Sequence, residues 1–144
     1  MSEAVVRKTR MNVMFDINVV LDIVAHRQPF YEDSCAAYLK AVGDGDSSCL
    51  SVHALSTLYC LLGAASTRKR RRAAMNWIFG AFEVAGLTAD EVEVARSLAL
   101  PDFEDALVVA AAKSSRCSCI VTRNVRDFGD CGLRVVDPAG YARS

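Results

Sequence analysis

A chain of 144 residues with 17 basic and 17 acidic side chains is long enough for one domain with a buried core, and too short for two of ordinary size. Its apolar residues, 52% of the total, fall in short runs that never approach the roughly 18 residues needed to span a bilayer, which excludes a helical membrane protein. Zero net charge excludes nucleic-acid binding through overall charge, so any such binding has to come from local clustering.

Residues 1–10 read as a flexible leading segment. Arg7, Lys8 and Arg10 are followed by an apolar stretch that Asp16, Asn18 and Asp22 interrupt, so a secretory core is not expected and the cytoplasm is the expected address. Six cysteines, Cys35, Cys49, Cys60, Cys117, Cys119 and Cys131, sit singly in apolar stretches and read as small buried hydrophobes. The Cys117/Cys119 spacing, with His26 and His53 far away in sequence, argues against a zinc site.

Val13-Met14-Phe15 is short, apolar and stopped by Asp16, as a buried parallel strand would be. A helix opens at Asn18, which can cap it, and Gln28-Pro29 breaks it; a second helix covers residues 31–42. The turn cluster at 43–48 leads into a short strand at 49–51 and an apolar helix at 54–62. Gly63 ends that helix, and Thr67 caps the next, at 68–78, basic at its start and apolar at its end. A weak strand at 82–87 precedes Thr88-Ala-Asp-Glu91, a capping box that opens a helix to Leu98. After Pro101, Asp102 starts a helix reaching Ser114, and strands follow at 119–122 and 133–136. Strands alternating with helices imply a mostly parallel sheet covered on both faces, a three-layer α/β/α sandwich.

Three acidic positions stand at element ends, where open α/β sheets bind ligands. Asp16 follows the first strand. Asp102 and Asp105 are spaced to share one face at a helix start, with Glu104 directed elsewhere, and the apolar run 106–112 requires that helix to be buried. Thr122, Asn124 and Asp127 then leave another buried strand within six residues. Hard divalent cations take oxygen ligands, and magnesium needs only one or two carboxylates beside its waters, so Asp16, Asp105 and Asp127 suffice for Mg2+ or Mn2+. A cation so held can acidify a water and neutralise charge on a phosphodiester, with no covalent nucleophile.

Phe15-Asp-Ile-Asn-Val-Val-Leu-Asp22, Pro101-Asp-Phe-Glu-Asp-Ala106 and Val121-Thr-Arg-Asn-Val-Arg-Asp-Phe128, in that order, resemble the PIN domains, and the resemblance extends over residues 12–141. It implies a Rossmann-like α/β/α sandwich, metal-dependent hydrolysis of single-stranded RNA, dimerisation, and a role as the toxin of a toxin–antitoxin pair. By motif match, Asp16, Asp105 and Asp127 resemble the family's metal-binding aspartates, with Asn18, Asp102, Thr122 and Asn124 in support. Two positions depart from the pattern. Thr57 stands six residues past Ser51 where a glutamate is usual, and Asn124 stands where an aspartate is common.

The run Arg68-Lys-Arg-Arg-Arg72 offers a local phosphate-binding patch, although successive helical residues point all around the axis and only two or three can face one ligand. Arg68 and Arg71 are taken as candidates from it. Arg123 and Arg126, beside Asp127, suit a phosphate near the metal and suit local carboxylates equally. His53 reads as a partly buried structural histidine, and Asp22 as a structural or solvent-facing residue outside the site. A haloacid-dehalogenase phosphatase would want an aspartate where Asn18 stands, and a receiver domain a lysine late in the sheet where Ile120-Val-Thr122 is followed by Arg123. The remaining alternative is a PIN fold without catalysis that binds RNA or a protein.

Overall fold

The computed structural model describes residues 9–144, so residues 1–8 of the expected flexible segment lie outside the described residues. Arg10, at the end of that segment, donates to Ser47 Oγ and pairs with Glu83 at 3.3 Å.

The first strand, β1 (Asn12–Phe15), is buried along Val13, Met14 and Phe15 because it runs through the middle of the sheet and is covered on both faces. In chain order it is followed by α1 (Ile17–Val24), α2 (Tyr31–Gly43), β2 (Ser47–Ser51), α3 (Val52–Ala65), α4 (Arg68–Ala81), β3 (Glu83–Ala85), α5 (Ala89–Ser97), α6 (Phe103–Ser114), β4 (Cys117–Val121), a 3-10 turn at Val125–Phe128, β5 (Arg134–Val136) and α7 (Pro138–Arg143). The five strands lie in the order β3-β2-β1-β4-β5, and every pairing is parallel. The chain thus builds outward from β1 to β3 and then returns to the other side of β1, placing the reversal of strand order between β1 and β4.

The pleat sends alternate side chains to two cores. Val13, Phe15, Leu50 and Val121 join Val19, Val20, Leu58 and Ile78 on one face of the sheet. Met14, Cys49 and Ile120 join Val109, Ala111, Ala112 and Phe128 on the other. Phe15 anchors the first core, edge-on to Phe82 at 5.6 Å and to Tyr38 and Tyr141 at 6.4 Å each, and complete burial of such a ring contributes roughly 1.5–3 kcal/mol. On the second face the alanines of α6 leave little bulk between helix and strands, and 108–112 are wholly buried.

Local capping sets the helix starts. Thr67 Oγ1 accepts from the Arg70 amide at 3.2 Å, and Thr88 with Glu91 forms the expected capping box. Asp102 caps α6 by accepting from the Glu104 amide at 2.8 Å. Three expectations are corrected. Asn18 is not the cap of α1, because Asp16 leaves the strand two residues earlier and its own carboxylate accepts from Ile17 N. Gly63 does not end α3, which runs on to Ala65 and accommodates the glycine where the Arg71 side chain lies against it. The weak strand expected within 82–87 is present as the three residues Glu83–Ala85 at the sheet edge. Of the cysteines, Cys60 is exposed and Cys35 half-buried, since both lie on helix faces turned from the cores; the other four are buried.

Candidate active site

The reversal of strand order puts the C-terminal ends of β1 and β4 side by side, where an open parallel sheet leaves its ligand crevice. Asp16 emerges from β1 and is 3% exposed. Its Oδ1 accepts from Ile17 N at 2.8 Å, and its Oδ2 from Thr122 Oγ1, just beyond β4, at 2.7 Å. Burial pushes the Asp16 carboxyl up, while those two hydrogen bonds, and more weakly His53 and Arg123, hold it down. Thr122, wholly buried, also accepts from the Asn124 amide at 3.1 Å and so shapes the turn that follows.

Across the crevice, Asp105 is half-buried in the first turn of α6. Its carboxyl is pushed up to about 7, first by burial and then by the negative charges of Asp16, Asp102, Asp127 and Glu104. Four carboxylates from three parts of the chain therefore act on a fifth. Asp127, exposed on the 3-10 turn, and Asp102, exposed at the cap, contribute by proximity. Gly129 closes the turn with a φ of +52°, which frees the chain to leave toward β5.

A small cavity of about 20 Å3 opens beside Asp16 and Asp105, lined also by His53, Thr57 and Glu104. The expectation for Glu104 is thus corrected: helical spacing turns its Cβ away from Asp102 and Asp105, yet its side chain borders the same cavity. His53 belongs there too. Its Nδ1 lies 2.5 Å from Ser51 Oγ in a hydrogen bond, and burial lowers its pKa against the opposing pull of Glu104 and Asp16. Thr57, where the resemblance expects a glutamate, lines the same cavity as Asp16 and Asp105.

The basic candidates divide. Arg123 forks onto Asp22, at 2.8 and 3.3 Å, and stacks 3.9 Å from the Phe30 ring centroid, while its amide donates to Asn18 Oδ1 at 3.4 Å. Asp22 is not solvent-facing: it is wholly buried, also bound by Ser34 Oγ at 3.0 Å and by Arg27 at 3.6 Å. Arg126 and Asn124 are exposed beside the turn. Arg68 and Arg71 lie on α4, along a separate groove.

For a divalent cation the donor chemistry fits, because hard oxygen ligands crowd one cavity without a lysine or arginine among its lining residues. Among the described residues, however, no three His, Cys, Asp or Glu side chains form a ready-made metal-holding group.

A parallel sheet with acidic side chains gathered at its strand-order reversal defines an open-sheet α/β protein. The sequence of residues 12–126 matches the PIN domain family, and the chain belongs to that family. No curated protein matches the sequence. Among solved structures the chain is similar to VapBC-1 from nontypeable Haemophilus influenzae, with a TM-score of 0.67 and 14% identity over 89% of this chain and 98% of that one. It is similar to VapBC2 from Rickettsia felis bound to a DNA fragment from their promoter, with a TM-score of 0.66 and 14% identity over 88% and 98%. A toxin–antitoxin complex from Klebsiella pneumoniae gives a TM-score of 0.63 and 22% identity over 88% and 97%. At these identities the likeness shows a shared fold.

Proposed function

We propose that the chain is a divalent-metal-dependent endoribonuclease that hydrolyses phosphodiester bonds of single-stranded RNA. The observation that carries this reading is the gathering of Asp16, Asp102, Glu104, Asp105 and Asp127 at the strand-order reversal, where burial first and the neighbouring charges second push Asp105 up to about 7. Such uncompensated charge is relieved by protons or by a cation.

Asp16, Asp105 and Asp127 would hold Mg2+ or Mn2+, which when bound supplies an acidified water and neutralises phosphate charge. Around it the chain's own residues prepare the site. Thr122 and the Ile17 amide orient the two Asp16 oxygens, and the Asp102 cap fixes the first turn of α6 that carries Asp105. Asn18 and Asn124 brace the turn leading to Asp127 through the Arg123 amide and the Thr122 hydroxyl. Arg126 is exposed for a phosphate, whereas Arg123 acts by holding the loop, its guanidinium being taken by Asp22. Glu104 supplies a carboxylate to the cavity whose wall carries Thr57.

The likeness to toxin–antitoxin complexes supports an antitoxin protein as partner; dimerisation and a cytoplasmic address are proposed from the family resemblance and the sequence. No described helix is long and apolar enough to cross a membrane. Incubating the protein with labelled single-stranded RNA and manganese, beside an Asp16→Asn/Asp105→Asn variant, tests the activity. Wild type is expected to cut and the variant to lose at least about a hundredfold in rate, as removal of charge-stabilising groups does. Equal, negligible cleavage with RNA still bound would favour a PIN fold that binds without catalysis.

A further inference from the structure

Between Asp46 and Glu83 the chain carries five basic and no acidic side chains, so in a protein of zero net charge the rest bears a net charge of −5. The structure sorts that basic run. Arg68, Arg71 and Arg72 fall with Met75, Asn76 and Phe79 along one face of α4, at helical spacings of three, four, seven, eight and eleven residues from the first. Arg70 turns to the opposite side, toward α1. The first face borders an open groove whose other wall is Leu55, Ser56 and Tyr59 of α3.

The groove combines cations with open aromatic surface. Tyr59 is 49% and Phe79 58% exposed. The Arg71 guanidinium lies over the Tyr59 ring, 4.0 Å from its centroid, and packs against Gly63, where a Cβ would collide with it. Arg71 thus sits between the Tyr59 ring and Gly63, while Arg68 and Arg72 are exposed. Leu55, Ser56 and Tyr59 face the groove while His53, Ala54 and Thr57 face the carboxylate cavity, so the two flank α3 on opposite sides and a strand leaving the groove reaches the cavity by crossing the exposed ridge of that helix.

We propose that this α3–α4 groove is the path by which single-stranded RNA reaches the carboxylates, with phosphates on Arg68, Arg71 and Arg72 and bases against Tyr59 and Phe79. The inference rests on the ribonuclease reading of the cavity and adds where its substrate lies. Arginine forks bind phosphate, and exposed rings take bases of any sequence by stacking. A purely acidic polypeptide would satisfy the arginines and leave the exposed Phe79 ring without a matched partner.

The test uses the full chain carrying Asp16→Asn, which leaves RNA uncut, and a fluorescein-labelled oligouridylate followed by anisotropy over a salt series. Arg68→Glu/Arg72→Glu changes two exposed side chains, and Arg68→Gln/Arg72→Gln provides a milder second variant with the melting curve as fold control. The charge variants are expected to weaken binding at least about tenfold and to flatten the slope of log affinity against log salt by about 1.4, or 0.7 per lost phosphate contact. Phe79→Ala is expected to weaken it roughly tenfold with the slope unchanged, as loss of one stacked base does. Unchanged affinity and slope in folded charge variants would overturn the inference. So would loss of binding confined to an oligoglutamate peptide, which would assign the groove to an acidic protein segment. In the Asp16 background, groove-dependent binding together with an intact wild type that cuts nothing in manganese would support the path and sink the nuclease reading. Charge variants with native Asp16 that cut RNA as fast as wild type would do the reverse.

Discussion

Asp105 shows at a single side chain what the crevice costs the apo protein. Its carboxyl ionises near 7 in place of 3.8, because burial and the surrounding carboxylates favour the neutral form. The folded chain therefore holds this proton more tightly than the unfolded chain does. Stability from this group is intact below the unfolded value, falls as pH rises from about 4 to about 7, and stays reduced above that. Asp105→Asn removes the loss, so the variant should match wild type near pH 4 and exceed it at pH 8. The gain should be about 1 kcal/mol after discounting for solvent screening of a half-open group, or about 3 °C in melting temperature. Thermal denaturation in a chelator at the two pH values measures it, and a variant less stable than wild type at pH 8 would mean that the carboxylate is compensated in a way the crevice does not provide.

Asp22 belongs to the scale of elements, for it joins α1 to the loop after β4 across a separation of 101 residues in sequence. With Asp22 wholly buried and the Arg123 side chain 20% exposed, removing one partner strands the other. Asp22→Ala is expected to cost about 3 kcal/mol in urea denaturation and to speed hydrogen exchange at the amides of residues 123–127. Unchanged exchange there would show that the strap does not hold the loop. The same pair marks the limit of what the sequence makes legible. Caps and strand ends are local, so the Thr88–Glu91 box, the Asp102 cap and the places of Asp16 and Thr122 could be read from neighbours along the chain. Partners that meet only through folding could not, hence Asp22 with Arg123, and Glu104 and His53 on the cavity wall. The six-residue α7 was missed because one buried tyrosine within Pro138–Arg143 gives no periodicity, although the Tyr141 ring closes the core around Phe15. In the basic run, helical spacing fixed which arginines share a face, but only the packing of α3 and α1 against α4 decided which face stayed open.

For the whole molecule, the parallel order β3-β2-β1-β4-β5 does two things at once. It brings together the ends of β1 and β4, which lie more than a hundred residues apart in the chain, and with them the carboxylates of three segments. It also leaves the acid-free stretch between Asp46 and Glu83 largely as the α3–α4 hairpin beside that crevice, so a neutral protein presents separate basic and acidic regions. Membership of the PIN family and similarity to VapBC-type folds agree with this arrangement. What remains is whether the crowded carboxylates draw in around a cation. Anomalous scattering from crystals soaked in manganese answers that most directly. The account predicts a peak among Asp16, Asp105 and Asp127 that disappears in Asp16→Asn/Asp105→Asn crystals; an empty crevice in manganese-soaked wild-type crystals, at a pH above 7 where Asp105 is ionised, would contradict it.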